Sequence, residues 1–186
     1  MLKINFTPFP VLSTKRLFLR KLTLHDTPEI FIQRSDPCIR KFINRPPAKN
    51  LEEAKEWIEK ILLQEANNET INWAIVPKNG VKLIGSICLW NIERENYLAE
   101  VGYSLHPGCF GKGLMSEALS AIVEFGFKKI QLQRIDAYTH KNNIASIKLL
   151  EKTGFRRNTA FEEVYEDKNE LEYNVIYTCL QPQEQR

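Results

Sequence analysis

Apolar positions recur at two periods along this chain, and the changes of period mark out its elements. Behind Asn50, with Glu53 three residues on, Leu51, Ala54, Ile58, Ile61 and Leu62 keep helical spacing, so a capped helix is expected. Leu114, Met115, Ala118, Leu119, Ile122, Val123 and Gly126 form a second stripe and predict a helix over about 113–127. A third helix is expected over 143–153. Denser, shorter apolar blocks predict strands over 16–22, 71–76, 81–91, 98–105 and 134–139, with Pro77-Lys78-Asn79-Gly80 as a turn. Asp26, with Pro28 and Glu29 behind it, is expected to cap a short helix, and Pro46-Pro47 to break the chain. A last pair of strands is expected to flank the acidic stretch 162–172.

Strand, helix, strand over 98–139 makes a right-handed crossover, which requires those two strands to be parallel. The strands before them read as an antiparallel meander. The expected fold is therefore α+β: a mixed central sheet, mostly antiparallel, with a parallel pair at its centre and helices on its flanks. A single domain is expected over 12–180, with 1–11 as a lead-in arm and 181–186 as a tail.

The chain has 186 residues, enough for one domain with a substantial core. Its net charge of +3 is too slight, and too little concentrated, to indicate nucleic-acid binding. The cysteines Cys38, Cys88, Cys109 and Cys179 and the histidines His25, His106 and His140 are scattered, with no CxxC, so no metal site is expected. Free thiols fit a reducing cytoplasm. The first residues lack the apolar core of a signal peptide, and no apolar run is long enough to span a bilayer, so no membrane partner is expected.

Chemistry concentrates in Tyr103-Ser104-Leu105-His106-Pro107-Gly108-Cys109-Phe110-Gly111-Lys112-Gly113-Leu114-Met115-Ser116-Glu117. A strand meets a proline stop, a glycine-paired loop and a helix, an order that leaves backbone amides open to an anion such as a pyrophosphate. A P-loop fails here, because Leu114 and Met115 stand where Lys and Ser/Thr are needed. A dinucleotide fingerprint fits at Gly111 and Gly113 but meets Ser116 at its third glycine, with Asp136 at a plausible ribose-binding distance. A plain tight turn into a helix remains the alternative.

The segment from Phe110 to Leu119 resembles the acetyl-CoA loop of the GNAT superfamily. Asn143-Ile144-Ala145-Ser146, followed by Leu150-Glu151-Lys152-Thr153-Gly154-Phe155, resembles its second motif. Thr14-Lys15-Arg16-Leu17-Phe18-Leu19-Arg20 and Glu100-Val101-Gly102-Tyr103 resemble the first and fourth strands of the ribosomal-protein N-acetyltransferase branch. The likeness spans roughly 12–180 and implies an N-acetyltransferase using acetyl-CoA as co-substrate, with no metal. It implies that the two central parallel strands splay to admit the pantetheine arm. Ser104 and Leu105 would then meet the thioester, and the amides of Gly111, Lys112, Gly113, Leu114, Met115 and Ser116 the pyrophosphate, with Phe110 and Ser146 also touching the cofactor. Asn143 would hold the pantetheine, or simply cap its helix.

Glu100 is the candidate general base and Ser146 the candidate acid for the leaving thiolate. Many relatives place a tyrosine where this chain has Leu150. The strand-surface reading of Glu100 and the local-cap reading of Ser146 stay open. Lys112 is read evenly as a phosphate contact or a loop lysine, and Lys148 and Lys152 as a solvated helix face. Trp57, Trp73 and Trp90 are read as core. The acceptor implied by the branch is a protein N-terminal amine; a small amine, or a non-catalytic acyl-CoA sensor, is the alternative. The acidic stretch 162–172 is a solvated loop or a lure for a cationic acceptor, and the assembly a monomer or homodimer.

Overall fold

The computed structural model describes residues 1–2, 4–43, 45–164 and 174–182. Strands β1 (Leu12–Ser13) and β2 (Leu17–Lys21) lead through a 3-10 turn (Leu24–Asp26) into α1 (Thr27–Ser35), α2 (Pro37–Arg40) and α3 (Leu51–Ala66). The meander β3 (Ile71–Pro77), β4 (Gly85–Glu93) and β5 (Leu98–Leu105) follows, then α4 (Leu114–Phe125), β6 (Arg134–His140) and α5 (Ile144–Lys152). β7 (Arg156–Arg157), α6 (Thr159–Val164) and β8 (Asn174–Leu180) close the described chain. The sheet runs β1-β2-β3-β4-β5-β6-β8-β7. Among the described residues only β5 and β6 pair in parallel, as their helical crossover led one to expect, and the other neighbours are antiparallel.

Two apolar clusters sandwich the sheet. Trp73 and Ile75 of β3 join Leu119 and Ile122 of α4 on one face. Ala74 and Val76 join Ile30 of α1 and Ile58 of α3 on the other. Burial on both faces explains why β3 reads as a continuous apolar run rather than an alternation. Within the lead-in arm, Leu2 and Phe6 are each 4% exposed and belong to the larger cluster. Trp73 Nε1 also donates to Pro10 O at 2.8 Å.

Several expectations shift. Asp26 does not cap α1 with its side chain. Its carboxylate accepts both arms of the Arg20 guanidinium, at 2.8 and 2.6 Å, and the two-armed charged bond wins. Asn50 does cap α3, accepting from Glu53 N at 2.9 Å. β4 starts only at Gly85, because Val81 is 87% exposed on a wider loop. The helix of 113–127 stops being α-helical at Phe125 and continues as one π turn (Gly126–Ile130) that buries Phe127 and Ile130. α2 was missed; Asp36 caps it by accepting from Cys38 N and Ile39 N. The expected hairpin around the acidic stretch is β7 and β8 with α6 between them; Glu162 pairs with Arg157 at 3.0 Å. Glu166, Asp167, Glu170 and Glu172 lie outside the described residues. Among the described residues no helix is long and apolar enough to cross a membrane.

Candidate active site

β5 and β6 pair at Leu98 with Arg134, Ala99 with Ile135 and Glu100 with Asp136, and their registered pairing ends there although both strands run on. Between them opens a cleft of about 1100 Å³. Strand parity decides what β5 offers to it. His106 N donates to Ile84 O at 2.7 Å, and the β4–β5 register runs unbroken from Gly85/Leu105 to Trp90/Glu100. In an antiparallel ladder such bonds fall on alternate residues. His106, Ser104 and Gly102 therefore turn their main-chain groups to β4, while Leu105, Tyr103 and Val101 turn theirs to the gap. Leu105 thus turns its main-chain donor to the gap. Ser104 does not, and its hydroxyl donates to Gln33 Oε1 at 3.0 Å, the atom that also accepts from Ser86.

The glycine loop closes the far end. Gly111 and Gly113 take φ of 72° and 70°, which a side chain resists, and this is why glycines stand there. Gly113 caps α4 without any side-chain bond, and the first helical bond runs from Glu117 N to Gly113 O. The amides of Leu114, Met115 and Ser116 therefore head the helix with no side-chain cap and can meet an anion. Phe110 is 52% exposed, whereas Leu114 and Met115 pack into the core. Lys112 Nζ bends back to Gly108 O at 2.8 Å.

Glu117, which the sequence reading passed over, holds the loop's shape. Arg16 donates to its carboxylate through Nε and through its amide, each at 2.7 Å, and Thr14 adds its hydroxyl. Arg16 Nη1 reaches on to Lys112 O at 2.9 Å. Desolvation opposes the charge, but the bonds from Thr14 and Arg16 outweigh it and hold the carboxyl at about 2.

Across the gap, Ser146 sits in the first turn of α5, its amide donating to Asn143 Oδ1 at 3.2 Å, so Asn143 is the helix cap. Ser146 Oγ lies 2.8 Å from Tyr103 Oη. Burial pushes the Tyr103 phenol up to about 12, against a smaller downward pull from Ser146, so it keeps its proton across the working range. Tyr103 is the second residue missed. Leu150, fully buried, is core and makes no approach to the gap.

Glu100 is half-buried and accepts from Asn91 Nδ2 at 2.7 Å. Asn91 stands at a bulge in β4 and lines the cleft; Glu100 adjoins that lining from outside. Lys148 and Lys152 line the cleft from α5. Trp73 is core, as expected, but Trp57 and Trp90 line the cleft. Asp136 is 2% exposed and bound to Arg134 and Thr178, which removes it as a ribose ligand and the dinucleotide reading with it. Among the described residues no group of His, Cys, Asp or Glu could hold a metal ion, and the four cysteines are free.

The Acetyltransferase (GNAT) domain profile matches residues 16–156. The chain is 32% identical over 169 residues to the uncharacterized N-acetyltransferase p20 of Bacillus licheniformis, covering 91% of this chain and 95% of that one. It is similar to the crystal structure of a GNAT-family acetyltransferase from Bacillus anthracis, at TM-score 0.75 and 26% identity over 92% of this chain and 98% of that one. It shares the fold of RimL, a ribosomal L7/L12 alpha-N-protein acetyltransferase in complex with coenzyme A, at TM-score 0.78 and 17% identity over 92% and 98%.

Proposed function

Because this chain belongs to the GNAT acetyltransferase family, we propose that it moves an acetyl group from acetyl-CoA to a primary amine, and that the amine is a protein N-terminus. One observation carries the reading: the parallel strands part beyond Glu100 and Asp136, beside a helix head whose amides have no side-chain cap. The head of α4 suits the pyrophosphate of acetyl-CoA, and the open edge of β5 its pantetheine amides. Acetyl-CoA, when bound, supplies the activated acyl carbonyl.

The chain's own residues then divide the work. The Leu105 amide, turned to the gap, would donate to the acyl oxygen and stabilise charge gathering there; one such donor is worth roughly 10²–10³ in rate. Glu100 takes the ammonium proton through water at Asn91, leaving the amine lone pair free to attack. As the carbon–nitrogen bond forms, the carbon–sulfur bond breaks. The thiolate collects a proton from Ser146, which Tyr103 replenishes across their 2.8 Å bond; the second proton, shed by the nitrogen as it becomes an amide, leaves to solvent, and solvent returns one to Tyr103. This pair answers the missing tyrosine at Leu150 and favours turnover over a non-catalytic sensor. The N-terminal-amine acceptor is supported by the RimL likeness, which is one of fold.

Thiol release tests the reading, with acetyl-CoA and a panel of peptides of varied N-termini beside polyamines. Release with peptides and not with polyamines is expected. Release only with polyamines would move the acceptor to small amines, and tight acetyl-CoA binding without release from any amine would leave a sensor. Glu100→Gln is expected to lower kcat about 10²-fold and remove the acid limb of its pH profile; an unchanged profile would dismiss the base.

A further inference from the structure

The arginines near the cleft differ from those that are paired elsewhere in the fold. Arg16, Arg20, Arg134 and Arg157 each face a carboxylate within 3.0 Å. Arg34 of α1, Arg40 of α2 and Arg45 just beyond make no ion pair with a carboxylate among the described residues. Arg40 and Arg45 sit close enough to act on Arg34, and Arg40 on Arg45. Desolvation lowers Arg34 first, with Arg45 and Arg40 adding to it; Arg45 is lowered by desolvation and, less, by Arg40.

Arg34 and Arg45 line the cleft, and the Arg34 guanidinium stacks 5.1 Å from the Trp57 ring centre. Its Nε and Nη1 are buried without any hydrogen-bond partner. Glu53 attracts Arg34 from α3, yet one of its oxygens already accepts from Lys49 N at 2.9 Å. Arg40 Nη2 is turned to the Arg45 carbonyl. Buried guanidinium N–H groups without acceptors are costly, and a planar fork of them matches a carboxylate or phosphate.

The place of this cluster tells whose anion it awaits. Ser104 turns toward Gln33 of α1, on the same side of the sheet as Arg34, while Tyr103 turns toward Ser146 of α5. The cleft thus passes through the gap from the α4–α5 side to the α1–α2 side. The amides that suit a pyrophosphate are on the first side and the arginines on the second. We propose that the α1–α2 end of the cleft, walled by Arg34, Arg45 and Trp57, binds a carboxylate or phosphate carried by the acceptor, so that the acceptor is an amine bearing negative charge. This rests on the acetyl-transfer reading for its account of who brings the anion, but the site itself can be tested by binding alone.

The experiment uses the full chain saturated with CoA and four dipeptide amides: Glu-Ala, phosphoserine-Ala, and the neutral Gln-Ala and Ser-Ala. Binding is read by calorimetry and by Trp57 fluorescence, with Trp57→Phe identifying the signal. An anionic probe is expected to bind about tenfold or more tighter than its neutral match, and the preferred one separates carboxylate from phosphate. Arg34→Gln is expected to erase that preference while CoA affinity holds. Arg45→Gln repeats the test should the first variant melt early. Equal binding of charged and neutral probes, no binding of any, or a preference surviving both substitutions overturns the site. Thiol release from acetyl-CoA is recorded separately: anion preference without release keeps the site and sinks the transfer reading.

Discussion

Glu117→Gln isolates the charge that shapes the glycine loop. The glutamine keeps the volume and one acceptor oxygen, but leaves Arg16 without an anion. An ordinary glutamate titrates at 4.5 and Glu117 is held at about 2, a gap corresponding to about 3 kcal/mol of folding stability. Arg16 is 45% exposed, so solvent screens part of the pair, and about 1–3 kcal/mol is the expected loss at pH 7. The sign is set by a depressed carboxyl. Its contribution is whole above 4.5, falls as pH drops toward about 2, and is gone below that. Urea melts of both proteins at pH 7, 5 and 3 measure it. The gap between them should stand at pH 7 and 5 and shrink by pH 3. Because Arg16 also holds Lys112 O, the variant should bind CoA more weakly at pH 7. A stability gap that does not change with pH, or none at pH 7, would refute the reasoning.

Gly113→Ala adds a Cβ whose nearest neighbour is Arg16 Nη2 at 3.6 Å, so the expense is the left-handed φ rather than a clash, about 1–2 kcal/mol. Melting should fall by several degrees and CoA affinity about tenfold or more; full affinity in calorimetry would contradict the loop's role. Tyr103→Phe removes the hydroxyl behind Ser146 and should lower kcat at least about tenfold with KM for acetyl-CoA nearly unchanged; steady-state kinetics with wild-type kcat would discard the relay. Burial pushes the Cys88 thiol up to about 11, so at pH 8 only about one molecule in 10³ carries the thiolate. Iodoacetamide should therefore label exposed Cys38 well before Cys88, and equal rates in mass spectrometry would contradict that burial.

What was legible beforehand follows from the range of the forces involved. The glycine loop was readable because only glycine sits easily at φ near 70°, a constraint written into single positions. The parallel pair was readable because crossover handedness admits one answer. The side-chain pairs were not. Tyr103 and Ser146 are 43 residues apart, and Arg16 and Glu117 are 101 apart, and no local pattern joins them. Asp26 had the form of a cap, but a partner six residues back outcompeted the helix amides. Leu2 and Phe6 are isolated apolar residues between polar ones, a spacing that does not announce burial. Strand parity, which turns Leu105 and not Ser104 to the gap, needs the register of β4 against β5.

Amide hydrogen exchange with and without acetyl-CoA goes most directly to the heart of the account, since it reads the main-chain donors and needs no acceptor. Slowed exchange is expected in two places on binding: along 103–105 at the open edge of β5, and over 111–116 at the head of α4. Binding that leaves both segments exchanging as before would contradict it.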